Sequence, residues 1–324
     1  MKTISRDQLG AVVEADQRGL CELDPSILEK DLLITEVLSL LTQFKWGKVQ
    51  PVFCGGTSLS KGYGLIQRMS EDIDFKLVLP TGWNRSQTRQ ELRALRKRLT
   101  QWMREAEFDL PGAGITTLNE GRYFCFALGY APQFRLVSAL RAELRLDFTV
   151  HPRLLETVTV QVRPLLAEFM ELDAAVVKHH AVSVQETLVE KVVSFLRRTA
   201  GWPTQTERNP DDEQLVRHLY DVHQLLPIVP QDLASQEKRQ RLFNQTVAGD
   251  RQRFARQEPR FDTDPRRWLS QALEQLQSSA EMEELYNRFV GELVWGETVP
   301  FIQARDCFSD LASALLAGLG DSLP

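Results

Sequence analysis

Residues 53–75, FCGGTSLSKGYGLIQRMSEDIDF, constrain this chain more than any other stretch. The run QPVFC at 50–54 reads as a buried strand that stops at Gly55-Gly56. The spacing then predicts a short helix over 57–68 and a second strand, DIDFKLVL, over 72–79. Alternate residues of a strand share a face, so Asp72 and Asp74 aim together while Ile73 aims into the core. Two convergent carboxylates build a poor core but suit a hard divalent cation held by oxygen ligands. A glycine pair after a strand lets backbone amides approach a ligand, and at a helix start such amides form an anion site. Thr57 and Ser58 offer hydroxyls to a phosphate, and Ser70 stands just before the acids. An anion cradle followed by paired carboxylates is what metal-assisted phosphoryl or nucleotidyl transfer needs. The competing reading is a glycine turn followed by exposed acids. The Walker A pattern GxxxxGK[ST] is absent.

At 324 residues the chain suits two closely packed lobes, and 43% apolar with 26% charged residues is a globular composition. A net charge of −5 argues against a non-specific wrapper of nucleic acid but leaves room for a local basic groove. Cys21, Cys54, Cys125 and Cys307 contain no CxxC pair, which argues against zinc and thioredoxin-type chemistry. Cys54 and Cys125 lie in apolar strand-like runs and are expected to be buried thiols. The N-terminus MKTISRDQLG lacks the apolar core of a signal peptide, and no apolar run reaches the ~18 residues of a membrane span. The expected location is the cytoplasm, with no membrane partner.

Residues 5–21 read as a short helix and 25–44 as a strong amphipathic one, started by Asp24 and Pro25. Glu29, Lys30 and Asp31 in its first turns read as a solvated face. A basic helix follows the PTGWN break, with an apolar stripe of Leu92, Leu95, Leu99, Trp102 and Met103. After a turn at 111–114, strands are expected over 121–131, 140–150 and 153–163. Lys178-His179-His180 reads as an exposed loop. Helices follow at 182–200, 211–226, 231–258, 264–293 and 304–319, with a polar loop, GWPTQTERNP, at 201–210. Strands first and helices later favour an α+β fold, with a mixed α/β lobe over 1–165 and a helical lobe over 166–324.

Outside the glycine–carboxylate stretch the residues are less specific. Asp147 is either a third metal-binding acid or an exposed strand aspartate paired with Arg145 or Arg141. Lys191 suits a triphosphate, but taken alone it reads as a solvated lysine paired with Glu190 or Glu186. Arg217 and Asp221 read as a surface i, i+4 pair. The basic helix, Arg197-Arg198 and the run at 251–260 are either solvated or a contact for an RNA backbone.

Five segments resemble the AbiEii/AbiGii nucleotidyltransferase toxins of bacterial toxin–antitoxin systems, including the MenT group. They are ILEKDLLITEVLSLL, the signature GGTSLSK…SEDID, LRAELRLDFTV, ETLVEKVVSFLRR and RHLYDVHQL, in that order. The resemblance implies a polymerase-β-like nucleotidyltransferase lobe with a mixed sheet, followed by a mostly helical lobe that completes the site. By position, Gly55, Gly56, Thr57, Ser58 and Ser70 would serve the triphosphate, and Lys61 the loop or the phosphate. Asp72 and Asp74 would hold Mg²⁺, with Asp147 as a third acid, and Lys191 and Asp221 would complete the catalytic set. Arg68-Met69-Ser70 stands where the family more often has Arg-Phe-Ser.

The implied activity is transfer of a nucleotide from an NTP to RNA, a tRNA 3′ acceptor end in some members, blocking translation. The implied biology is a toxin with a co-encoded antitoxin, of the kind used in phage defence. Two alternatives stand beside it: a transferase acting on a protein or small molecule, and a non-catalytic NTP-binding module.

Overall fold

In the computed structural model, the described residues are all but Cys21, Ala139, 203–209 and 321–324. The chain forms two compact units, Met1–Val182 and Ser183–Pro324. The sequence boundary at 165 therefore falls inside the first unit.

The first unit is built on a seven-stranded mixed sheet in the order β3-β4-β5-β2-β1-β7-β6. The strands are β1 (Gln50–Cys54), β2 (Asp72–Val78), β3 (Ile115–Leu118), β4 (Tyr123–Gly129), β5 (Glu143–Val150), β6 (Val158–Val162) and β7 (Val177–Ala181). The unit's helices are α1 (Arg6–Gln17), α2 (Pro25–Gln43), the single turn α3 (Gly55–Thr57), α4 (Arg85–Glu105) and α5 (Leu165–Phe169). α3 runs into a wide π-helical turn, Ser58–Gly62, and ends there, so the helix expected to 68 stops six residues short. Two strands were not expected. β3 precedes β4, and β7 takes in Lys178, His179 and His180, which read as a loop.

A row of aromatic rings sets the register. Phe53, Phe75, Phe148 and Phe124 are successive Cα partners across β1, β2, β5 and β4. Neighbouring ring centroids lie 5.3, 5.8 and 5.0 Å apart. All four are buried, and a one-residue slip would turn every ring to the other face. The next residue along each strand lies on that other face. This second row is Cys54, Asp74, Asp147 and Cys125. The packing of the aromatic row therefore places the acids.

His179 closes the aromatic row at β7, with its ring 5.6 Å from both Phe53 and Phe75. Its Nε2–H donates to the Leu38 carbonyl of α2 at 3.1 Å. Burial disfavours the imidazolium and lowers the pKa from 6.5 to about 4. The unfolded chain takes up this proton below pH 6.5, and the folded chain only near pH 4. The stability is complete above pH 6.5 and is lost as pH falls toward 4. At pH 5 the loss is about 2 kcal/mol relative to pH 7.5. Denaturant unfolding at the two pH values should show this loss in wild type and a correspondingly smaller one in His179→Phe. An equal loss in both proteins would remove the assignment.

The second unit is helical: α6 (Val184–Thr199), α7 (Arg217–Leu225), α8 (Leu233–Phe254), α9 (Pro259–Thr263), α10 (Pro265–Leu276), α11 (Ala280–Leu293) and α12 (Phe301–Ala317). A 3₁₀ turn, Pro210–Val216, precedes α7, so the α-helix expected from 211 starts only at Arg217. Three helices expected beyond 231 become five. Pro259 and Pro265 stand at helix starts and split α8, α9 and α10. Ser279 caps α11 after a break at 277–279.

Candidate active site

The acids stand on the half-exposed face of the sheet. Asp74 and Asp147 are Cα partners on the parallel strands β2 and β5, and Asp72 partners Arg145 one step away. Asp72 Oδ1 accepts from Arg141 Nη1 at 2.7 Å. Asp147 Oδ1 accepts from the Tyr123 hydroxyl, and its Oδ2 lies 3.8 Å from Arg145 Nε. Burial pushes the Asp147 pKa up, and the negative charge of Asp72 adds to that, while Tyr123 and Arg145 oppose it. Burial and the Asp147 carboxylate push the Cys125 thiol up to about 12, while Arg145 opposes the shift. Cys125 is buried as expected, but Cys54 at the end of β1 is only half-buried. Cys21 lies outside the described residues.

The glycines make room for this cluster. Gly55 has φ +76°, and a Cβ built there would overlap Asp74 Oδ2 and lie 3.0 Å from its Cγ. A Cβ on Gly56 would lie 2.6 Å from both Ser70 Oγ and Arg68 Nη2. Bare backbone at 55–56 thus runs directly under Asp74 and Ser70.

The neighbouring polar residues have a different task from the one expected. Thr57 Oγ1 donates to the Asp72 carbonyl and, at 3.2 Å, to the Ser70 carbonyl. Ser58 Oγ donates to the Gly55 carbonyl at 2.9 Å. Both side chains are fully buried, so these hydroxyls tie the turn to β2 instead of facing a phosphate. Lys61 is also buried, paired with Asp31 and donating to the Arg163 carbonyl at 3.0 Å. Of its two expected roles, loop support is the one its contacts serve.

Glu29, Lys30 and Asp31 overturn the reading of a solvated face, since all three are buried. Glu29 accepts from the backbone N–H groups of Gln133 at 2.8 Å and Phe134 at 3.3 Å. Lys30 pairs with Glu71 at 2.5 Å, and Asp31 Oδ2 accepts from Leu165 N–H at 2.7 Å. Sequence offered one clue, three consecutive charges in a helix whose leucines leave little room for a polar face.

In the second unit Lys191 and Asp221 form a buried ion pair at 2.5 Å. Neither is the surface residue it resembled. Lys191 and Asp221 are both buried, and Arg217 is buried as well, so the reading of an exposed pair does not hold. His218 Nδ1 lies 3.1 Å from the Lys191 carbonyl, tying α7 to α6 again. Three arginines considered for RNA are committed to acids: Arg197 to Asp250 and Glu258, Arg198 to Asp212, and Arg251 to Asp262. On α4, Arg93, Lys97, Arg98 and Arg104 are exposed. The same helix buries Leu92, Leu95, Leu99 and Met103.

Among the described residues no group of three or more His, Cys, Asp or Glu side chains is arranged to hold a metal ion by itself. The donor set nevertheless fits magnesium, which commonly uses one or two carboxylates and completes its shell with water and substrate phosphate. No helix among the described residues is long and apolar enough to cross a membrane.

Comparison with known proteins places this geometry in a lineage. The model of the family described as "Nucleotidyl transferase AbiEii toxin, Type IV TA system" matches residues 45–299. A search of curated protein sequences returns no match. Among solved structures, the fold resembles MenT4, a nucleotidyltransferase toxin from Mycobacterium tuberculosis H37Rv. That alignment has a TM-score of 0.56 and 16% identity, covering 97% of this chain and 90% of the other. At that identity the likeness speaks for the fold, α+β with a mixed sheet, while the family match speaks for the chemistry. The chain belongs to the AbiEii nucleotidyltransferase toxin family of type IV toxin–antitoxin systems.

Proposed function

We propose that this toxin uses Mg²⁺ and an NTP to add a nucleotide to the 3′ end of an RNA, a tRNA acceptor end, and so blocks translation. The observation that carries the reading is the row in which Asp74 and Asp147 sit side by side, with Asp72 on the same face and bare glycine backbone beneath. Asp72 and Asp74 would hold the ion, and Asp147 would stand as the third acid. The ion, when bound, would polarise the triphosphate and stabilise charge on the leaving group. Gly55 and Gly56 leave backbone open to the phosphates beside Ser70. In the transfer, a bond forms between the RNA 3′ oxygen and the α-phosphorus. The bond from that phosphorus to the bridging oxygen breaks, pyrophosphate leaves, and the hydroxyl proton passes to water. The cognate antitoxin that the family implies would restrain this activity in a cytoplasmic host setting.

The test is incubation of purified protein with total RNA, Mg²⁺ and each α-labelled NTP in turn. Label should enter one RNA size class with one preferred NTP. Periodate oxidation of the RNA beforehand, which destroys the 3′ diol, should abolish it. Label that enters protein or a small molecule instead would replace RNA as the acceptor.

Lys191 and Asp221 enter as part of the same reading, Lys191 on the triphosphate charge and Asp221 as the residue that orients it. Lys191→Met breaks the buried ion pair with Asp221 and should cost about 3–5 kcal/mol of stability. The double variant Lys191→Met/Asp221→Leu removes both charges, so it should recover most of that stability while transfer stays at least about 100-fold down. Thermal melts and the labelling assay check both halves. A stable double variant with wild-type transfer would make the pair purely structural.

A further inference from the structure

The first turns of α2 hold both ends of the connection between the glycine turn and the acid strand. Asp31 pairs with Lys61 in the π-helical turn, and Lys30 pairs with Glu71, the residue just before Asp72. The second pair is part of a closed ring. Lys30 Nζ donates to Glu71 Oε2 at 2.5 Å and to the Arg141 carbonyl at 2.8 Å. The Arg141 N–H donates to the same Glu71 oxygen at 3.0 Å. The Arg141 guanidinium then reaches Asp72 Oδ1 at 2.7 Å. The ring therefore holds the side chain of the residue before Asp72 and, through Arg141, the Asp72 carboxylate.

Stability alone is a weak reason for this arrangement. Lys30 is fully buried and Glu71 nearly so. Taking two charges out of water costs as much as, or more than, their attraction returns, and an apolar pair of similar volume is commonly as stable. What an apolar pair cannot do is fix two chain segments by directional bonds. Residues behind a metal ligand act in that way, orienting it, and their loss typically costs 10–100-fold in metal affinity or activity.

We infer that Lys30 and Glu71 are positioning residues for the Asp72 carboxylate, and that α2 clamps the 61–71 connection so that the glycine turn and the acids keep one relative geometry. This rests on the proposed metal-dependent transfer, because it assigns a purpose to residues that touch neither nucleotide nor ion. Asp31 and Lys61 hold the far end of the same connection.

The experiment compares wild type, Lys30→Met/Glu71→Met and Asp74→Asn by Mn²⁺ binding in EPR, by kcat and KM for the NTP, and by thermal melting. The double variant should melt within a few degrees of wild type or above it. It should bind Mn²⁺ at least tenfold more weakly and lose at least tenfold in kcat, with KM changed less than threefold. Wild-type Mn²⁺ affinity and kcat in a folded double variant would overturn the inference. If the double variant does not fold, Glu71→Gln serves instead. It keeps an oxygen for the Arg141 N–H but removes the charge that holds Lys30, and it should show a partial loss of at least threefold in Mn²⁺ affinity. Failure of both variants to fold would make the ring a structural requirement and overturn the positioning role. Failure of the parent reading looks different, since wild type itself would then bind no Mn²⁺ that Asp74→Asn abolishes.

Discussion

Asp74→Asn should lower nucleotide transfer by about 10³-fold or more while the protein stays folded. Both effects follow from one geometry. Asp74 is the Cα partner of Asp147 and lies two residues from Asp72, so the site gathers like charges on one face. Arg141 pairs with Asp72, and Arg145 Nε lies 3.8 Å from Asp147 Oδ2. Asn keeps the shape of the side chain and leaves the pairing of β2 with β5 intact, so the fold should persist. The amide keeps the shape but offers a hard cation a far poorer ligand. Asp72→Asn should behave similarly in transfer, and it also weakens the bond to Arg141. An Asp74→Asn protein that transfers normally would remove β2 from the chemistry.

Gly55→Ala should be strongly damaging. Its φ of +76° lies in the left-handed region, and the new methyl would meet the Asp74 carboxylate. The backbone strain costs of the order of 1–3 kcal/mol, and the collision moves the carboxylate out of the row. Transfer should fall by at least about 100-fold, the scale on which a misplacement of an ångström acts. Gly64 is the internal control. It too has positive φ, +65°, but nothing lies within 4 Å of the position its Cβ would take. Gly64→Ala should therefore carry a strain cost in a melt and leave kcat near wild type. If the two variants lose activity equally, the steric part of the argument fails.

The legible and illegible parts of this protein divide along a physical line. β1 and β2 were readable because a short apolar run and a strict alternation are local signals, and α2 because leucines recur along it. The acids were readable because two carboxylates one residue apart have no ordinary place in a core. Asp147 stayed open between two readings, since only the pairing of β5 with β2 brings it beside Asp74, and register is not written in either strand alone.

Buried charge was the main source of error. Glu29, Lys30, Asp31, Lys191 and Asp221 look like solvated residues until their partners at 71, 61 and elsewhere are known. A helix that buries an ion pair and one that exposes it present the same spacing. β7 was missed for a related reason. In Lys178-His179-His180 the middle side chain is buried against phenylalanines contributed by β1 and β2. The hydroxyls of Thr57 and Ser58 serve backbone carbonyls, a role that their place in the GGTS run does not distinguish from phosphate binding.

The central claim is that the acid row opposite the aromatic ladder holds the divalent ion and its nucleotide. Titration of Mn²⁺ by EPR, with a non-hydrolysable NTP analogue present, tests it most directly. Wild type should bind Mn²⁺ saturably, and Asp72→Asn/Asp74→Asn, folded by circular dichroism, should lose that binding by at least about 100-fold. A folded double variant that binds Mn²⁺ and nucleotide as wild type does would contradict the account.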